Sequence, residues 1–209
     1  MPGTSTKTSR LSGPQRRAQL LDVTKAIVGE RGFHAVSIDA VARRAGITRP
    51  VVYGHFHDLA GLLNALVERE GERAVRQLVG LIPQEAIGQD PIELVRQGLR
   101  AFLEAVAEDP VTWRLVLMPP EGTPENLRAR AIEVRASVTA QIAAIIPQVL
   151  AGVHGPEPID PELTALTIQA VAEDAARLLL DDPERYPIKR LLAHTEWLLA
   201  QLGLASPAK

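Results

Sequence analysis

The sequence predicts an all-α protein, with a three-helix N-terminal head followed by a larger helical body. Three observations carry this. Ala and Leu dominate an apolar content of 46%, whereas aromatic residues make up only 3%; Ala and Leu favour helix, and strands favour β-branched and aromatic residues. Apolar residues recur at helical spacing in segments that prolines punctuate. No period-two alternation of useful length and no internal repeat is present. At 209 residues the chain is long enough for one or two domains with a sizeable core.

Residues 1–14 mix Gly, Ser, Thr and Pro with Lys7 and Arg10 and lack periodicity, so they are expected to form a flexible arm. A first helix is expected from about Gln15 to Arg31, with Leu20, Val23, Ile27 and Val28 inward and Gly32 as its stop. Short helices follow over Ile38–Ala45 and Arg49–His55, then a long one from Leu59 to Val79. Pro91 opens a helix to Glu108, and Pro110 opens another through Met118. Pro119 to Pro124 reads as a rigid loop. A long amphipathic helix is expected over Pro124–Leu150, kinked or shortened by Pro147. Gly152 to Pro161 is a second loop, and final helices span Pro161–Asp181 and Glu184–Leu202. The expected domains are therefore the arm 1–14, the head 15–57 and the body 58–209.

Residues 37–56 carry the most information. Ser37 is placed to cap one helix. Val41, Ala42 and Ala45 share its inner face, and Gly46 suits a left-handed stop. Thr48 is the next N-cap, Ile47 and Val52 form a plausible staple across it, and Pro50 lies in the first turn. Val52 and Phe56 point inward, which leaves Arg49, Pro50, Val51, Tyr53 and His55 outward. This is a helix-turn-helix with a second helix short enough for a major groove, or else an ordinary αα-hairpin. Charge favours the first. Residues 1–57 hold nine Lys/Arg and three acids, a surplus of six, whereas residues 58–209 hold 14 basic and 22 acidic residues.

These residues resemble the tetracycline-repressor (TetR) family of transcriptional regulators. The match covers about Arg17 to Leu63. Leu20-Leu21, Ala26, Ile27-Val28 and Gly32-Phe33 fall on the family's first helix and its closing Gly-aromatic pair. Val36-Ser37-Ile38, Val41-Ala42 and Ala45-Gly46-Ile47-Thr48 continue the pattern, and Tyr53-Gly54-His55-Phe56 matches the end of its recognition helix. One position departs: Leu59, preceded by Asp58, stands where the family usually carries a Lys. The resemblance implies a homodimer with a DNA-binding head and a C-terminal body for effector binding and dimerisation.

The chemistry of the outward residues assigns expected roles. Arg49 suits guanine O6 and N7 or a phosphate, Val51 a thymine methyl, and Pro50 shape alone. Ser37, Thr48, Tyr53 and His55 are candidates for phosphate contacts, with Arg43 and Arg44 adding charge near the backbone. The expected partner is a palindromic double-stranded DNA operator.

In the body, Phe102, Trp113, Leu117 and Met118 read either as core or as the wall of a cavity for a small apolar or amphipathic effector. Arg114, Arg128, Glu133 and Arg135 read as solvated faces. Leu163, Leu166 and Ala170 mark one side of the Pro161 helix. Glu173, Asp174 and Arg177 interrupt it, as local ion pairs or as pairs across a dimer two-fold. Leu191 and Leu198 supply a second apolar face on the last helix, and the resemblance joins the two faces in a four-helix dimer interface.

The chain has no cysteine, which excludes disulfides, thiolate zinc sites and Cys nucleophiles. His55 and His57 flank Phe56 without accompanying carboxylates, and His34, His154 and His194 stand apart, so no metal or other cofactor is expected. No phosphate loop, zinc-protease signature or nucleophile elbow is present, and an enzyme is not expected. No run reaches a membrane span and no signal sequence is seen, so a cytoplasmic protein with no membrane partner is expected. The reading is a sequence-specific DNA-binding regulator, expected to be a repressor released by an effector. The rivals are a DNA-binding protein without an effector and a DNA-independent small-molecule binding protein.

Overall fold

A computed structural model describes residues 11–79, 90–119, 123, 125–150 and 158–201. Among these residues the chain forms nine α-helices, α1 Gly13–Arg31, α2 Ile38–Ala45, α3 Arg49–His55, α4 Leu59–Val79, α5 Pro91–Glu108, α6 Pro110–Leu117, α7 Glu125–Val149, α8 Pro161–Asp181 and α9 Ile188–Gln201. A 3-10 turn, Phe33–Ala35, follows α1. The residues expected to form the arm lie mostly outside the described set, as do Lys7, Arg10, His154 and parts of the two expected loops. The chain divides into two compact units, residues 1–66 and 67–209, with the division inside α4.

Local chemistry explains most helix ends. Ser12 and Gln15 form a reciprocal capping box, so α1 starts at Gly13, inside the segment expected to be arm. Gly32 has φ 79° and Gly46 φ 67°, the left-handed values that let α1 and α2 stop without a Cβ clash. Asp58 Oδ1 accepts the Gly61 amide at 2.7 Å at the start of α4. Asp90, Asp109 and Asp160 cap α5, α6 and α8 through side-chain oxygens. Two ends correct the sequence reading. α6 stops at Leu117 because Met118 precedes Pro119, and a residue before proline is driven out of the helical region. Similarly, α9 starts at Ile188 and not Glu184: Asp182 Oδ1 accepts the Arg185 amide at 2.9 Å in a turn that runs into Pro187. α7 continues through Pro147 for two residues and ends there.

The first unit is built on Leu20, Ile27, Val41, Val52, Phe56, Leu62 and Leu66, all buried. In the second, Leu103 and Val106 of α5, Trp113 of α6, and Ala176 and Leu180 of α8 form the centre of the core. Here α7 packs on α8, and α5 packs against α6, α8 and α9. Glu70 is fully buried on α4 and receives the Thr112 hydroxyl at 2.5 Å, with Arg69 beside it at 2.7 Å. Asp109 joins the same hydroxyl at 2.9 Å. Two arginines cap helices reciprocally. Arg114 of α6 donates to the Leu180 carbonyl of α8 at 2.5 Å, and Arg177 of α8 to the Leu117 carbonyl of α6 at 3.4 Å.

Candidate DNA interface and effector cavity

In the first unit the amphipathic logic of residues 37–56 produces one outward face. Val52 and Phe56 are buried, whereas Arg49, Pro50, Val51 and Tyr53 are exposed, Val51 at 39% and Tyr53 at 51%. Thr48 occupies the N-cap of α3 and its side chain makes no capping bond, which leaves an exposed hydroxyl at the start of that helix. Ser37 accepts the Ala40 amide at 3.1 Å, and its hydroxyl proton remains available to an anion. Arg43 is exposed, and His55 is half-buried at the end of α3.

The sequence reading missed the partners of these groups. Arg49 is hydrogen-bonded and ion-paired to Asp39 of α2, and this bond raises its pKa above the ordinary arginine value. Arg44 makes a bidentate pair with Glu30 of α1 at 2.5 and 2.6 Å, which raises the arginine pKa and lowers that of Glu30. Its charge is therefore compensated by α1. Arg17 of α1 donates to the His55 carbonyl at 3.1 Å, and its guanidinium lies 4.4 Å from the Phe56 ring centroid. It satisfies an orphan carbonyl at the C-terminus of α3 and ties that helix to α1.

The second unit contains a cavity of about 1280 Å³ lined by α4 to α9, chiefly by apolar side chains. Such a volume exceeds the roughly 300–1,000 Å³ common for small-molecule sites. Of the four residues expected at an effector site, Phe102 and Leu117 line it. Trp113 does not: it is 1% exposed and packs edge-on to Phe102, with ring centroids 5.1 Å apart and planes at 86°. Met118 is exposed and also lies off the wall. Arg128 and Arg135, read as solvated faces, belong to the lining; Arg128 donates to the Thr123 carbonyl at 2.9 Å, and Arg135 pairs with Glu173 at 3.0 Å.

Residues 20–66 match the family described as bacterial regulatory proteins, tetR family. The family match thus lies in the head, over the helix-turn-helix and the helices on either side of it. It is similar to the HTH-type transcriptional activator FasR of Mycolicibacterium smegmatis, with 26% identity over 86% of this chain and 79% of that protein. It is 39% identical over 99 residues to the HTH-type transcriptional regulator BetI of Yersinia pestis, a stretch that covers 46% of this chain and 43% of that one. Thus the chain aligns with less than half of BetI, although with most of FasR. Among solved structures, a TetR-like transcriptional regulator from Rhodococcus sp. RHA1 superposes with a TM-score of 0.69 at 23% identity, covering 94% of this chain and all of the other. A TetR-family regulator from Pectobacterium atrosepticum gives 0.60 at 25% identity over 94% of this chain and 97% of its own.

Both relatives are named as HTH-type transcriptional regulators or activators, and the part of this chain that matches the family model is its helix-turn-helix head. TetR-family regulators bind operator DNA and act as dimers. The residues expected at a dimer interface distribute unevenly. Leu163, Leu166, Ala170 and Asp174 share an exposed stripe of α8, and Leu198 is exposed on α9 beside Trp197. Leu191 is half-buried against the core of the body. Arg177 bonds within its own chain, to Glu173 at 3.2 Å and to the Leu117 carbonyl. No helix among the described residues is long and apolar enough to cross a membrane.

Proposed function

We propose that the chain binds a palindromic operator as a homodimer and releases it when a small apolar or amphipathic effector fills the body, which makes it a repressor. The observation that carries this reading is the outward face of α3, where Arg49, Pro50, Val51 and Tyr53 are exposed on a helix anchored by buried Val52 and Phe56. Arg49 reads a base edge or a phosphate, Val51 meets a thymine methyl and Pro50 contributes shape. Ser37, Thr48, Tyr53, His55 and Arg43 hold the DNA backbone and set the register, and Arg44 adds less because Glu30 neutralises it. The apolar stripe of Leu163, Leu166 and Ala170, together with Leu198, pairs with its copy across a two-fold. An effector then shifts the population toward a spacing of the two heads that no longer fits successive major grooves. On this division the head supplies sequence recognition, and residues from 58 onward supply effector binding and assembly.

Footprinting on the DNA that flanks the chain's own coding region, followed by mobility shifts with the protected fragment, tests this. Arg49→Ala is expected to lower affinity for the protected site roughly ten- to hundredfold and to relax preference at one base pair per half-site. Equal affinity of both proteins for specific and random DNA would remove Arg49 from the interface. A protected site without two-fold symmetry would remove the dimeric reading.

A further inference from the structure

Charge is distributed unevenly around the cavity. Residues 58–209 carry eight more acids than bases, so an average wall of this body is negative. The wall that α7 and α8 contribute is the opposite. Four guanidiniums, Arg128, Arg130, Arg135 and Arg177, line it against a single lining carboxylate, Glu173. Glu173 is shared by Arg135 at 3.0 Å and Arg177 at 3.2 Å. Arg130 is compensated by Glu133 at 3.3 Å, in water. Arg128 has no carboxylate among the described residues; its Nε donates to the carbonyl of Thr123, itself only 7% exposed. That bond holds the guanidinium at the cavity while its terminal nitrogens keep their hydrogens for another acceptor.

The rest of the lining is mostly apolar; its charged residues are Glu68, Glu72 and Arg76 on the α4 side, where Arg76 lies 3.8 Å from Glu72. Along α7 the basic residues give way to Ile142, Ile145 and Ile146, which face Leu99, Phe102 and Leu115 around the same space. From Arg135 to Ile146 the helix rises about 16 Å. An apolar chain on the order of a dozen carbons spans that length.

We infer that the effector is a single-chain amphipathic anion, with a carboxylate head held by Arg128 and the Arg135–Arg177 pair and an apolar tail laid along Ile142, Ile145 and Ile146. This rests on the reading of the cavity as the effector site and adds the chemical class of the ligand. A neutral head accepts the same hydrogen bond without the charge assistance, and a cationic head meets a wall of its own sign. The carboxylate gains a charge-assisted hydrogen bond from a donor that is already positioned.

Calorimetric titration of the full chain with tetradecanoate, methyl tetradecanoate and tetradecylamine, each below its aggregation limit, tests the inference. Tetradecanoate is expected to bind at least about tenfold more tightly than the ester or the amine. Arg128→Gln, on an exposed side chain, is expected to remove most of that preference while leaving ester binding and thermal unfolding unchanged; Arg128→Lys is expected to retain part of it. Equal binding of the three probes, no binding by any, or a preference that survives Arg128→Gln overturns the inference. Mobility shifts with the same probes separate it from the broader reading. A neutral probe that fills the cavity and releases DNA overturns the anionic head while the effector-released regulator stands.

Discussion

The head and the body of this chain hold their arginines in different ways. In the head, three arginines are tied to a neighbouring element, Arg44 to Glu30, Arg49 to Asp39 and Arg17 to the carbonyl of His55. These pairs are exposed, so water and salt weaken them, and a phosphate is able to compete for the same guanidinium. In the body, Arg114 and Arg177 satisfy helix ends, Glu70 and Thr112 form a buried network, and Arg128 has only a backbone oxygen. The difference teaches what each unit is built to meet. Solvated, exchangeable pairs suit a polyanion that arrives with its own counterions, whereas a cavity with surplus donors suits one small ligand.

The largest expected effect joins the two regions. Leu166→Glu places a like-charged pair near the proposed two-fold, so the chain is expected to sediment as a monomer and to lose operator affinity by more than a hundredfold although the head is untouched. A dimer that survives this change moves the interface to another face. Next comes the buried network. Thr112→Val removes the hydroxyl that reaches both Glu70 and Asp109, and is expected to cost about 2–3 kcal/mol of stability in urea unfolding. Glu30→Gln, which breaks an exposed pair of the head, is expected to leave the unfolding midpoint almost unchanged. Equal losses in the two variants would erase the contrast between buried and exchangeable pairs.

Asp39→Asn is a smaller test of the head alone. Releasing Arg49 is expected to raise affinity for random DNA about threefold and to steepen its salt dependence by about one charge per head. An unchanged salt slope would show that Arg49 does not reach phosphate in that complex. The smallest effect concerns acid. Glu93 is held down to about 2, first by its hydrogen bond from Arg96 and then by that from Gln97. A depressed carboxylate contributes stability above its ordinary value of 4.5 and loses that contribution as pH falls through about 2. Glu93→Gln is therefore expected to flatten the acid limb of unfolding between these values and to leave the neutral range nearly unaltered. A limb of unchanged slope would assign the acid sensitivity elsewhere.

What was legible in the sequence was local. The starts of α2 and α3, the Gly46 stop and the alternation of buried Val52 with exposed Val51 all follow from neighbours within four residues. The side-chain pairings that the reading missed have partners far along the chain. Arg44 lies 14 residues from Glu30, Arg17 lies 38 from His55, and Arg114 lies 66 from Leu180. Helix packing selects those partners, and no spacing rule within one helix reports them. The cavity shows the same thing. Arg128 and Arg135 are exposed, as a charged face on an amphipathic helix ordinarily is, and only the packing of the helices shows that the same face borders a cavity. Trp113 reads as a cavity residue from its closeness in sequence to Met118 and the Pro119–Pro124 loop, yet it is buried in edge contact with Phe102, which lines the space where Trp113 does not.

That arrangement has an optical consequence. The indole of Trp113 is 1% exposed and its N–H has no hydrogen-bond partner among the described residues, whereas Trp197 is 59% exposed. The two chromophores therefore sit in opposite solvents. Trp113 is expected to emit on the blue side of the spectrum and Trp197 on the red, and dissolved iodide is expected to extinguish the second while sparing the first. The light that survives comes from a ring in edge contact with Phe102, a wall of the cavity, so its colour and lifetime give a label-free gauge of whether that space is full.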